Sequence, residues 1–95
     1  MDDIRKEGLM VKMTINLPTL RAKANLTQAK LSEMIGVSRQ TIVAIESQKR
    51  KMSWNTFLSC LLVFQNNEET NQLLKLYEIS TNELTLYLNG NNKGD

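Results

Sequence analysis

Histidine is absent from these 95 residues, and cysteine occurs once. Without histidine the commonest general base and metal ligand is missing. The lone thiol, Cys60, excludes an intrachain disulfide and is expected to be a small buried residue. No group of residues has metal-ligand spacing, and no glycine-rich loop is present to cradle a phosphate. Glu68 and Glu69 are adjacent and point apart on a helix, so they make no paired acid–base site. The sequence therefore predicts neither an enzyme nor a metal or cofactor protein. No apolar run approaches the roughly 20 residues that span a bilayer, and the tract over 57–64 is broken by Ser59. The opening MDDIRKEG is charged and leads into no apolar signal core. Neither export nor membrane insertion is expected, and a cytoplasmic location is.

What is present is a modest apolar content, 41%, enough for a globular core in one small domain. The net charge of +2 hides a split: residues 1–51 carry +5 and residues 52–95 carry −3. A basic first half attracts phosphates, and an acidic second half is kept away from them.

Turn and cap residues divide the chain into segments. Residues 1–15 read as an N-terminal arm or short extended segment, with 13–15 as the extended piece. A first helix is expected over 17–25, Pro18 being tolerated in its first turn. A second, over 28–35, is capped by Thr27 and ended by Gly36 in a left-handed conformation. Ser38 caps a third over 39–47, and Ser53 a fourth over 54–65. A fifth runs over about 68–78. The last element is ambiguous. Ser80 followed by Glu83 is a capping-box pattern for a helix ending at Gly90, whereas the alternation of Leu84, Leu86 and Leu88 suits a strand. The domain reading is an arm over 1–15, a core over 16–65, C-terminal helices over 66–90 and a polar tail over 91–95.

The stretch LTQAKLSEMIGVSRQTIVAI, residues 26–45, carries the functional signal. Leu31 and Ile35 lie one turn apart on one helical face, as do Ile42 and Ile45 nearly so on the next, and Val37 joins them across the turn at Gly36. Ser32 is small enough for close helix-to-helix approach. The outer face of the second helix of this pair then presents Arg39, Gln40, Val43, Ala44 and Ser47. Arginine pairs with guanine and glutamine with adenine in the major groove, while Thr41, Val43 and Ala44 offer apolar surface to thymine methyls. The expected base-contacting set is Arg39, Gln40, Thr41, Val43 and Ala44. The expected phosphate-contacting set is Gln28, Lys30, Ser38, Lys49, Arg50 and Lys51, aided by the helix N-terminus that begins at Gln28.

The same run, extended to Glu46, closely resembles the helix-turn-helix of phage Cro and CI repressors, the Xre-like regulators. The resemblance covers residues 17–64. It implies an all-α, five- to six-helix bundle of the lambda-repressor-like kind, with helices two and three as the helix-turn-helix, acting as a dimer on an inverted repeat. By that resemblance Gln28 contacts phosphate and braces Gln40, the residues Arg39, Gln40 and Ala44 face base edges, and Arg21 and Glu46 form a structural ion pair. Three positions depart from the pattern. Lys30 stands where glutamate is usual, Gln48 where glycine commonly ends the third helix, and Ala44 where a polar residue is frequent.

The apolar residues of the fourth and fifth helices, Trp54 to Tyr77, exceed what one small core hides, which suggests a homodimer through the C-terminal half. The expected partner is double-stranded DNA, and the expected role is transcriptional regulation, most readily repression. Two other roles fit the residues. One is an antitoxin that binds a toxin and represses its own operon. The other is a protein-binding adaptor using the helix pair as scaffold.

Overall fold

Leu9, Met13, Leu17 and Leu20 recur at helical spacing, and burying that stripe decides the first element. The computed structural model describes residues 1–90. In it α1 runs unbroken over Asp3–Lys23. The arm or extended segment expected over 1–15 is thus helical, and the first helix begins fourteen residues before the expected 17. The extended piece expected over 13–15 is likewise part of this helix. Met13 is buried while Val11 and Ile15 face out, so the 3.6-residue period governs. Asp2 caps the helix, its carboxylate accepting from the Arg5 amide at 2.9 Å. Pro18 consequently sits inside the helix and not in its first turn. It is exposed, so the Thr14 carbonyl it deprives of a helical donor lies towards solvent, which limits the cost of the missing bond.

Five further helices follow: α2 (Gln28–Ile35), α3 (Arg39–Glu46), α4 (Trp54–Gln65), α5 (Glu68–Leu76) and α6 (Asn82–Leu88). No strand occurs among the described residues. Thr27, Ser38, Ser53 and Asn67 each cap the next helix by accepting an amide three residues on. α5 stops two residues short of the expected 78 because Glu78 turns left-handed, at φ 59°. The amides of Ile79 and Ser80 then bond back to the Leu74 carbonyl. The last element is a helix, but Thr81 caps it in place of Ser80. The leucine alternation does not mark a strand: Leu84 is buried, and Leu86 and Leu88 are exposed. The polar tail expected over 91–95 lies outside the described residues.

α1 is the spine, packing on α3, α4 and α5, while α2 lies on α3 and α4. Met13, Leu17 and Leu20 meet Leu31, Ile42, Phe57, Phe64 and Leu74 in a core from which all eight are excluded from solvent. Trp54 stacks on Phe57 with ring centroids 4.9 Å apart. Three cations of the N-terminal half of α1 face the acidic C-terminal segment. Arg5 pairs with Glu83, Lys12 lies near Glu78, and the Lys6 ammonium sits over both Trp54 and Tyr87 at just over 5 Å. Such exposed ion pairs contribute little each, so the apolar stripe sets the position of α1.

Cys60 is buried in this core. Desolvation first, and the Glu46 charge second, push its thiol up to about 12. An unfolded thiol ionises lower, so this group favours the fold at neutral pH and that contribution is lost as pH rises beyond the unfolded thiol range. Alkylation at pH 8 should therefore be slow in the native protein and fast after addition of urea. Met13→Ala should cost about 2–5 kcal/mol in urea denaturation, whereas a mobile arm would tolerate the change.

Candidate nucleic-acid interface

Two short helices cannot hold a fixed angle by themselves, so the turn between them and the core beneath them must do it. Gly36 takes φ 78°, and the amides of Gly36 and Val37 both return to the Ser32 carbonyl, at 2.9 and 3.1 Å. Ser38 restarts the chain, its hydroxyl accepting from the Thr41 amide at 3.1 Å. Leu31, Ser32, Ile42 and Ile45 are buried between α2, α3 and the core, with Ile35 and Val37 packed at its edge. The Ser32 hydroxyl is satisfied by the Ala29 carbonyl at 2.7 Å. Burying Ile42 and Ile45 on one side of α3 leaves the other side in solvent.

A helix, a tight left-handed turn and a second helix with one free polar face make a helix-turn-helix. A family model described as a helix-turn-helix domain matches residues 14–92. The chain belongs to that family, which is of the Cro- and Xre-like type. No curated protein and no solved structure matches it. The matched span runs through α4, α5 and α6, so the helix-turn-helix family model takes in the C-terminal helices as well as α2 and α3. Helix-turn-helix domains are DNA-binding elements, the second helix entering the major groove.

In this helix-turn-helix, Arg39, Gln40, Val43 and Ala44 share the outward face of α3, with Ser47 continuing it just past the helix end. Arg39, Gln40, Val43 and Ser47 are exposed and Ala44 is half-buried. Thr41 stands apart from them. It is half-buried, and its hydroxyl is within 3.0 Å of the Ser38 hydroxyl and accepts from Arg50 at 3.5 Å. The structure thus places Thr41 at the edge of the face, as a link between the Ser38 cap and Arg50.

The cationic residues separate into groups. Lys49 and Arg50 follow α3 in a loop whose two amides both bond the Ala44 carbonyl. Gln48 precedes them at φ 62°, so glutamine adopts here the left-handed conformation that a glycine takes more cheaply. Neither Arg39, Lys49 nor Arg50 makes an ion pair among the described residues. Lys51 instead reaches Glu7 on α1 at 3.3 Å, and Lys30 reaches Glu33 at 3.3 Å. The Lys51 link was not legible from sequence, because nothing local brings position 7 beside position 51.

Gln28 is half-buried and turned inward, donating its amide to the Glu46 carboxylate at 3.0 Å and not to Gln40. The same carboxylate receives Arg21 through two bonds, Nε to Oε2 at 2.6 Å and Nη2 to Oε1 at 2.9 Å. Arg21 also donates to the Leu26 carbonyl at 3.0 Å. One carboxylate near the end of α3 thus holds the end of α1 and the start of α2. Planar guanidinium and carboxylate meet edge to edge, a geometry a lysine cannot reproduce. The hydrogen bonds to Glu46 raise the Arg21 pKa, against the opposing effect of its burial. Because the folded value lies above the unfolded one, this contribution is fully present below the ordinary arginine range and is lost only above it. Glu46→Ala should therefore destabilise the fold by about 2–4 kcal/mol at pH 5 through 9, since it orphans Arg21 and Gln28 together. Urea denaturation across that pH range checks both the size and the flatness.

Proposed function

We propose that this protein is a sequence-specific DNA-binding regulator that represses transcription as a homodimer, inserting α3 in the major groove of an operator in the cytoplasm. The observation that carries this reading is the outward face of α3. It gathers a bidentate donor for guanine (Arg39), a donor–acceptor amide for adenine (Gln40) and an apolar pair for thymine methyls (Val43 and Ala44). Lys49 and Arg50 continue from the same helix without ion-pair partners among the described residues, which suits contacts to the phosphate backbone. Ser38, exposed at the start of α3, is suited to a phosphate contact, as is Lys30 once it leaves Glu33. Gln28 acts in this reading by bracing Glu46, and Lys51 by holding α1.

Fluorescence anisotropy on fragments of the protein's own upstream DNA, over a salt series, tests the proposal. One fragment should bind far better than random duplex. Gln40→Ala should lose about 1–3 kcal/mol of that preference at one base position. Lys49→Ala should weaken all duplexes alike and lower the slope of log affinity against log salt by about one. Absence of any duplex binding at low salt would sink the reading in favour of a protein-binding scaffold.

A further inference from the structure

Arg50 does not hang free from the loop after α3. Gln48 reverses the chain in a left-handed conformation, at φ 62°, and the Arg50 amide bonds back to the Ala44 carbonyl at 3.3 Å. From there the side chain runs along α3 towards its N-terminus, and Nη1 donates to the Thr41 hydroxyl at 3.5 Å. Thr41 lies one turn before Ala44. The backbone of Arg50 is thus tied to one turn of α3, and its guanidinium to the turn before. The second tie is long, so it directs the side chain without holding it fast. It uses one guanidinium donor and leaves the others for an acceptor outside the chain. Lys49, one residue earlier, is anchored only through its amide among the described residues.

The Thr41 hydroxyl also sits 3.0 Å from the Ser38 hydroxyl, and Ser38 already accepts the Thr41 amide at 3.1 Å. At that separation either hydroxyl can donate to the other. Donation by Ser38 strands the spare hydrogen on half-buried Thr41, whereas donation by Thr41 leaves it on exposed Ser38. The second arrangement is favoured, because a donor in solvent always finds a partner. The Arg50 cation beside the Thr41 oxygen also turns the hydroxyl hydrogen away from itself, towards Ser38. Donors then run one way, from Arg50 to Thr41 to Ser38, each polarising the next.

We infer that Thr41 is a positioning residue, which presents Arg50 and Ser38 together to one phosphate of the DNA backbone and reads no base itself. Two donors no further apart than these two links laid end to end can each take a different oxygen of one phosphate, at about 2.8 Å. A long side chain that is directed before it meets its anion loses less freedom on binding. The inference rests on the DNA-binding reading above. It takes Thr41 out of the residues that choose sequence and gives it a part in affinity for duplex of any sequence. It also makes Arg50 and Lys49 unequal, since only Arg50 depends on a second side chain for its direction.

Fluorescence anisotropy of the full chain, on its preferred duplex and on random duplex, tests this. Thr41→Val keeps the side-chain shape, a methyl group and the amide that Ser38 caps, and removes only the hydroxyl. It should weaken both duplexes alike, by about three- to tenfold, and leave the thermal melt nearly unchanged because the cap survives. Thr41→Ser keeps the hydroxyl and should bind both duplexes much as wild type does. Thr41→Val and Arg50→Ala combined should lose less than the product of their separate losses, because each removes the same contact, whereas Thr41→Val and Lys49→Ala should multiply. A mere folding defect would multiply with both and show in the melt. Either Thr41 variant altering the preference of one duplex over the other would make Thr41 a base contact and overturn the inference. Losses that multiply with Arg50→Ala, or a Thr41→Val that binds as wild type, would overturn it too. In these outcomes the wild-type chain still binds DNA and the inference fails alone, whereas a wild-type chain that binds no duplex takes down both.

Discussion

Leu9, Met13, Leu17 and Leu20 line one side of α1, and α3, α4 and α5 close over that side. Each of the other helices is short, none longer than twelve residues, and short helices hold little structure without tertiary burial. α1 is long enough to give three of them a common wall. α3 can keep one polar face in solvent only because Ile42 and Ile45, on its other face, have that wall to rest against. The apolar stripe is therefore what makes an exposed polar face on α3 possible, although it contributes no residue to that face.

Glu46 adds direction to what burial merely brings together. Hydrophobic contact is tolerant of rotation, whereas a carboxylate held by two guanidinium bonds and one amide bond is not. Arg21 near the end of α1, Gln28 at the start of α2 and Glu46 at the end of α3 fix the three helices against one another at the point where a small rotation would swing α3 most. Gln28 is taken up by this bracing. A residue suited by chemistry to a phosphate is turned inward because a buried carboxylate with a free acceptor site is costlier to leave unsatisfied than a solvated amide is to withdraw.

Charge is distributed by the same logic. The first half of the chain carries +5, yet Arg5, Lys6 and Lys12 turn to the aromatic rings and carboxylates of the C-terminal segment. Among the described residues, Arg39, Lys49 and Arg50, at α3 and the loop after it, make no ion pair, and neither do Lys23 at the end of α1 and Lys75 on α5. The basic surface is thus narrower than the sequence total suggests, and three of its free cations lie on the side where α3 is bare.

Much of this was legible in the chain itself. The helices from Gln28 to Gln65, with their Thr27, Ser38 and Ser53 caps and the left-handed Gly36, follow from signals that act within four residues and need no partner. The outward residues of α3 follow from the same periodicity. Residues 1–15 were read as an arm because their apolar residues, Val11 and Ile15 among them, mark no single face, and only the presence of α3, α4 and α5 on the opposite side shows which apolar set is the buried one. The end of α5 and the start of α6 shifted because Glu78 accepts a left-handed conformation that its type does not announce. The link from Lys51 to Glu7, the inward turn of Gln28 and the exposed side of α1 at Val11 and Ile15 were invisible for one shared reason. Each depends on residues far apart in sequence, or on the absence of a neighbour in space. Local chemistry along the chain determined where helices begin, end and turn outward, and packing over α1 alone decided which apolar residues are core, which charges are spent within the fold and which remain for a partner.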